Sequence, residues 1–370
     1  MTLDTGFDTP FDTGAVTAPG VSERQRVLGA GLAAFLSAHW GRQVSIPFLA
    51  ESSAGARRQN VLFDADDGST RHELVATIIP NAAIQILQIP DEAAMLRLAH
   101  AAGMPVPRIL VDCTDARWVG GPFFIGSRIA GETVPRRVLR LVERTGHGEG
   151  IASQLGSAFA QLHALPQERA PAALVRPLRP PAEQALANLA LHAPLLLQPS
   201  PVFVLAQRWL ERHIPAPAPR LAIVHGDMRN GNLIISEQGL RAILDWEGTR
   251  IGDPMEDLVW PCLRCWRFGG DEWEVGGFGS RAALVEAYTA AGGRFDPAAF
   301  HWWKVVGTMR WGLGLAGQAR THLDGSVPSI VMAASGRRVA ELEYDLLCLL
   351  RPTQGAGPAG DAGEPGARQP

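Results

Sequence analysis

The side chains best suited to chemistry lie between Val224 and Glu247, in the segments VHGDMRNGNL and ILDWE. Asp227 and Asn232 stand five residues apart across a Gly-containing turn, and Asp245 follows a second apolar run. Two carboxylates and an amide on loops beside short strands supply oxygen donors, with no sulfur and no histidine cluster. Such a set suits Mg2+, a hard cation that takes one or two carboxylates and completes its shell with water and phosphate. A carboxylate close by but off the metal accepts a proton or orients a hydroxyl. The apolar runs LAIV (221–224) and RAIL (241–244) are expected to hold the two loops side by side.

The elements that must position these groups fall into two kinds. Ser22-Glu23-Arg24-Gln25 is a capping-box pattern ahead of a helical apolar face at Val27, Leu28, Leu32 and Phe35. Asn60–Ala65 and Glu73–Ile79 read as strands about the turn Asp66-Asp67-Gly68-Ser69. Pro90-Asp91-Glu92 opens a helix, and Arg108–Val111 and Pro122–Ile129 are extended. Beyond about Gly131 helical periodicity takes over, at Ile151–Leu165, Val202–His213, Arg281–Ala291, His301–Leu315 and Val339–Leu350. The expected fold is α+β and bilobal: a small N-terminal antiparallel sheet lobe with one helix, then a larger, mainly helical C-terminal lobe. A ligand cleft is expected at their junction. Residues 1–20 read as a flexible N-terminus, 21–128 as the nucleotide-binding lobe and 129–351 as the catalytic and substrate lobe. Residues 352–370, rich in Gly, Ala and Pro, read as a disordered tail.

Composition narrows the classes. Apolar residues make up 46% of the 370 and charged residues 19%, so a sizeable core is expected and wholesale disorder is excluded. A net charge of −3 supplies no general basic field for nucleic acid or an anionic membrane, and neither is an expected partner. Of 34 basic side chains only Lys304 is lysine, which excludes any mechanism needing a lysine in the first half of the chain. Cys113, Cys262, Cys265 and Cys348 do not make a disulfide scaffold, and Cys262 and Cys265 read as buried apolar residues. Apolar stretches such as 195–210 are broken by Pro199 and Pro201, and the first residues do not form a signal peptide; a cytoplasmic location is expected. The oligomeric state is left open.

HGD-x4-N followed by a hydrophobic strand ending in Asp-Trp resembles the aminoglycoside phosphotransferase and choline kinase group, which shares the protein-kinase-like fold. Bacterial phosphotransferase family proteins and the kinase domain fused to some acyl-CoA dehydrogenases are similar. Gly252-Asp253-Pro254 with Asp257-Leu258, Gly103-Met104-Pro105, Gly121-Pro122-Phe123 and Gly131 extend the resemblance over roughly residues 22–350. It implies an enzyme that moves the γ-phosphate of ATP, or GTP, to a hydroxyl of a small molecule. Asp227 would be the catalytic carboxylate, with Arg229 near the transferring phosphate or paired with an acid. Asn232 and Asp245 would ligate Mg2+, and Glu92 would be the helix acid of the first lobe. Ser127 and Ile129 would meet adenine through backbone groups, and the 52–58 loop, with Ser53, Gly55, Arg57 and Arg58, would cover the phosphates. Asp257 would brace the catalytic loop.

One position departs from that pattern. The second strand of the family ends with a Lys or Arg that grips phosphate and pairs with the helix acid; here Thr77 occupies the place. Arg57 or Arg58 could reach in instead, or the nucleotide site is degenerate and the chain is a non-catalytic binding protein. A metal-dependent hydrolase would want more histidine than this segment carries. His163 reads as a satisfied core histidine, and Trp302, Trp303 and Trp311 read as core at helical spacing. The Trp- and Arg-bearing region after Gly269 does not resemble an acidic site for a polycation, which favours an uncharged or anionic, partly apolar acceptor.

Overall fold

A computed structural model of the chain describes residues 22–51, 58–80 and 85–351. The expectations for the two chain ends and for Ser53, Gly55 and Arg57 lie outside the described residues. The chain divides into two compact units. The first takes the described residues up to Val138 with Glu168–Leu174 and Gly231–Thr249, and the second takes Leu139–Gln167, Val175–Asn230 and the described residues from Arg250 onward. The units therefore interleave along the sequence.

In the first unit, α1 (Glu23–Trp40) opens as its sequence demands: the Ser22 hydroxyl accepts from the Gln25 amide, and the Gln25 side chain accepts from the Ser22 amide. It stops at Gly41, which takes φ 66°. Five antiparallel strands follow, β1 (Ser45–Glu51), β2 (Gln59–Asp66), β3 (Arg71–Ile78), β4 (Ile109–Cys113) and β5 (Phe123–Ser127), in the order β1-β2-β3-β5-β4. The β2–β3 turn is held by Asp67 Oδ1, which accepts from Ser69 and Thr70 amides at 2.9 Å each, with Gly68 at φ 85°. One sheet face carries Val61, Phe63, Ala65, Leu74, Ala76, Ile78, Phe123 and Ile125, packed on Leu32, Phe35 and Leu36 of α1.

Helix α2 (Ile89–Ala101) begins with Pro90, Asp91 and Glu92 in its first turn, residue types that suit a helix start and its dipole.

Also in the first unit, β6 (Leu233–Ser236) and β7 (Gly239–Ile243) form a hairpin. It is tied to the sheet's own segment by the Glu132–Ile235 bridge and by Ile243 N–H donating to Pro105 O at 2.8 Å. Gly131 allows this approach: at φ 152° its missing Cβ would sit 2.5 Å from Ile234 Cγ2. LAIV and RAIL are not paired with each other. RAIL pairs with LIIS because the Glu237–Gly239 turn is short enough to make them hairpin neighbours, while Ala222–Val224 pairs with Arg250–Gly252.

The second unit is mainly helical. After α3 (Pro135–Thr145) come α4 (Gly148–Ala164), α5 (Pro181–His192) and α6 (Pro201–Arg212). Then follow the two-stranded pair Ala222–Val224 and Arg250–Gly252, α7 (Pro254–Val259), α8 (Arg281–Ala290), α9 (Pro297–Leu323), α10 (Ile330–Ser335) and α11 (Val339–Leu350). Helices α4 and α8 approach closely because Gly156 has no side chain; a Cβ there would lie 2.2 Å from Leu284 O. Trp302 and Trp303 are core, with Trp302 Nε1 donating to Leu210 O at 3.1 Å. No described helix is long and apolar enough to cross a membrane.

Candidate active site

In the first unit a cation stands on the strand next to Thr77. Arg58 immediately precedes β2, whose register pairs Gln59 with Ile78 and Asn60 with Thr77. Side chains alternate along a strand and directly paired residues share a face, so Arg58, Asn60 and Thr77 belong to one side of the sheet. Thr77 Oγ1 donates to Asn60 Oδ1 at 2.9 Å. Arg58 reaches α2, its Nη1 and Nη2 each donating to one Glu92 oxygen at 2.9 Å, while Nε donates to Glu247 at 2.9 Å. Asp245 Oδ1 lies 3.7 Å from Nη1. This is the parallel two-bond geometry that guanidinium forms best with carboxylate.

The surroundings of that pair set its electrostatics. The Glu92 side chain is 1% exposed and that of Arg58 is 12% exposed. Burial pushes the Glu92 pKa up, with Arg58 opposing the shift. Burial also disfavours the Arg58 charge, but Glu92, Asp245 and Glu247 outweigh it and hold the guanidinium pKa above its ordinary value. Of the two arginines offered by the sequence, Arg58 is seen on Glu92, and Arg57 lies outside the described residues.

Asn232 and Asp245 are brought together by the β6–β7 hairpin. Leu244 N–H donates to Asn232 O at 2.8 Å, one step beyond the Leu233–Ile243 pair. Asp245 then takes φ 64°, ψ 66°, a left-handed conformation that costs a non-glycine residue roughly 1–2 kcal/mol and that concentrates at functional sites. The chain beyond it is pinned by a 3-10 turn at Trp246–Gly248, where Trp246 Nε1 donates to Ile243 O at 3.1 Å. An amide oxygen and a carboxylate fit a hard divalent cation. Among the described residues no group of three or more His, Cys, Asp or Glu gathers to hold a metal, so a cation here would draw on these two donors and fill its shell with water and phosphate.

The segment expected to meet adenine is partly committed elsewhere. Ser127 N–H donates to Arg108 O at 2.9 Å, and its hydroxyl accepts from the Arg108 amide at 3.1 Å. Ile129 lies past the end of β5, outside the sheet.

The second unit builds the loop that carries Asp227. Asp257, in the first turn of α7, accepts from the His225 amide at 2.7 Å and the Gly226 amide at 2.8 Å. His163 on α4 meets the same carboxylate through Nε2 at 3.2 Å, and its Nδ1 lies 3.0 Å from the Tyr288 hydroxyl. Burial opposes ionisation of Asp257, yet His163, His225 and the Gly226 amide prevail and hold its pKa below the ordinary value. Both sequence expectations here, a bracing Asp257 and a satisfied His163, match these contacts. Asp253 caps α7 with Glu256 in a capping box.

Asp227 itself is oriented by two donors on one oxygen: Trp260 Nε1 at 2.6 Å and Arg229 Nε at 3.1 Å reach Oδ1. Arg229 therefore pairs with an acid, and its guanidinium also lies 4.2 Å from the Trp266 ring centroid. Trp260 was not legible as a site residue. It is separated from Asp227 by 33 positions, and no spacing rule links an indole to a loop that far away.

The family described as "Phosphotransferase enzyme family" matches residues 49–303. Acyl-CoA dehydrogenase family member 10 of Mus musculus is 26% identical over 201 residues, covering 50% of this chain and 17% of that protein. Family member 11 of Gallus gallus is 27% identical over 196 residues, covering 50% and 23%. The chain thus spans about a fifth of the length of the curated relatives it matches. Among solved structures, a candidate aminoglycoside phosphotransferase of Ralstonia eutropha superposes with TM-score 0.66 at 21% identity, covering 85% of this chain and 97% of that one. A macrolide 2'-phosphotransferase of Brachybacterium faecium gives TM-score 0.57 at 18% identity, covering 88% and 99%. The fold is the α+β protein-kinase-like fold of these enzymes. With more than half its residues inside the family match, the chain belongs to the phosphotransferase enzyme family.

Proposed function

We propose that the chain transfers the γ-phosphoryl group of ATP to a hydroxyl of a small molecule. In this reaction a bond forms between the acceptor oxygen and the γ-phosphorus as the bond to ADP breaks, and Asp227 accepts or steers the hydroxyl proton. Arg229 and Trp260 hold that carboxylate in one orientation. Asn232 and Asp245 would hold Mg2+, which would supply positive charge to neutralise the phosphates. Arg58, fixed by Glu92, would grip the phosphates, with the preceding residues Ser53, Gly55 and Arg57 covering them. Ser127 and Ile129 mark the adenine side. Most of the acceleration would come from positioning and charge neutralisation. A cytoplasmic location, where ATP is available, belongs to the same proposal.

The observation that carries this reading is the two-bond Arg58–Glu92 pair. The rival, a non-catalytic binding protein, starts from the lost cation at Thr77; Arg58 supplies a cation on the same sheet face and weakens that premise. The two differ in a thermal-shift titration with Mg-ATP run beside ADP release over a panel of hydroxylated acceptors. Nucleotide-dependent stabilisation with acceptor-dependent ADP release is expected. Stabilisation with no release on any acceptor would favour the rival, and no nucleotide binding would sink both.

A further inference from the structure

Next to Asp227 the second unit gathers an arginine without an ion pair and two indole donors without an acceptor among the described residues. Arg310 on α9 donates from Nη2 to Gly226 O at 3.2 Å and lies 4.1 Å from the Trp260 ring centroid. Arg250, whose charge acts on it, pairs with Glu256. Arg310 forms no ion pair among the described residues. Desolvation and the like charge of Arg250, opposed by Glu256, Asp227 and Asp257, lower its pKa to about 10, which leaves it protonated at neutral pH. Its hydrogen bonding reaches one carbonyl and its plane one ring face, while Glu256, Asp227 and Asp257 act on it only through space.

A second observation points the same way. Trp266 and Trp311 pack with ring centroids 4.6 Å apart, and Trp260 lies 5.7 Å from Trp266. The Nε1–H groups of Trp266 and Trp311 are buried without an acceptor among the described residues. Buried indole donors ordinarily find a partner. The cluster thus holds a guanidinium without an ion pair and two buried N–H donors without an acceptor among the described residues, around mostly buried indoles and close to the proposed catalytic carboxylate.

We propose that this cluster is the acceptor site and that it selects a hydroxylated molecule bearing one anionic group, carboxylate or phosphate, which binds Arg310. The indoles pack the apolar body of that molecule. The proposal rests on the phosphotransfer reading above and names the acceptor's class.

The test uses the full chain and four probes on one aromatic frame: phenyllactate, the phosphate monoester of phenylpropanediol, neutral methyl phenyllactate and cationic phenylalaninol. Binding is read first without nucleotide, by intrinsic tryptophan fluorescence, and then as ATP-dependent turnover. A charge-assisted hydrogen bond should favour one or both anions over the ester and the amine by about tenfold to a hundredfold. The stronger anion identifies carboxylate or phosphate as the group recognised. Arg310→Gln keeps an amide donor for Gly226 O while removing the charge, and should bring the anion-to-neutral ratio to about one.

Equal wild-type binding of acid and ester, a preference for phenylalaninol, no binding of any probe, or an anion preference that survives Arg310→Gln would each overturn the proposal. The wild-type ratio decides even if the variant fails to fold. Anion-selective binding without ATP consumption would keep the site and sink the phosphotransfer reading. Turnover without anion selectivity would do the reverse.

Discussion

Replacing Arg58 by alanine leaves Glu92, Asp245 and Glu247 without the cation they share. Breaking a buried pair from one side costs about 3–5 kcal/mol, because the remaining charge stays buried without its partner. Glu92, 1% exposed and held by two 2.9 Å bonds, meets that condition. The loss should carry a pH signature. The folded pKa of Glu92 is already raised by burial, and removing Arg58 raises it further. A carboxylate raised in the folded state contributes stability below its unfolded pKa and loses it as pH rises through the folded value. Arg58→Ala should therefore be most destabilised at neutral pH and recover part of the difference toward about pH 5. A simple cavity would show no such dependence.

Urea denaturation followed by tryptophan fluorescence at the two pH values measures this. Thermal-shift titration with Mg-ATP measures the second effect, a rise in Kd of about tenfold to a hundredfold for one lost charged hydrogen bond. Arg58→Lys should fall between, keeping the charge but not the fork. Thr77→Lys added to Arg58→Ala should restore part of the affinity, since position 77 shares the sheet face. An Arg58→Ala protein within about 0.5 kcal/mol of the parent and equally tight for nucleotide would refute the reasoning.

Asp227→Ala should lower kcat by about 10²–10⁴ if it serves as general base, with nucleotide affinity little changed in the same titration. Asp245→Ala should instead abolish the Mg2+ dependence of nucleotide stabilisation; equal, mild effects of both would count against their assigned roles. Asp257 is held below its ordinary carboxylate pKa, so its stabilising contribution is present above the unfolded pKa and lost as pH falls through the folded one. Denaturation midpoints should drop below about pH 4 and the drop should shrink in Asp257→Asn. Gly156→Ala, whose Cβ would meet Leu284 O at 2.2 Å, should cost about 1–3 kcal/mol. Gly150→Ala on the same helix meets nothing within 4 Å and should be neutral or stabilising by about 0.5–1 kcal/mol.

What could be read ahead of the structure was local. The Ser22–Gln25 capping box, the Asp66–Ser69 turn and the Pro90–Glu92 helix start act within a few residues, and each appears as expected. Strand β1 escaped notice because it is an edge strand containing Pro47 with little burial alternation. The charged α3 gives little apolar signal, whereas the start of α7 is legible in the acids Asp253 and Glu256 that cap it. The pairing of 222–224 with 250–252 went unread because several short apolar runs compete for the same partners and only packing chooses among them.

The candidate residues Asp227, Asn232 and Asp245 stand out in the chain because they lie on two short loops flanked by apolar runs. Sequence also showed that a cation was missing at Thr77, and narrowed its substitute to two adjacent arginines. Strand register and α2 bring Arg58 to an acid 34 residues away, a contact the sequence alone does not show. The same holds for Trp260 on Asp227 and for Arg310 on the carbonyl of Gly226, 84 residues apart. Backbone preference reaches only a few residues along the chain. An ion pair or an indole bond across dozens of residues exists only once packing has set two surfaces face to face, and that step belongs to the tertiary fold.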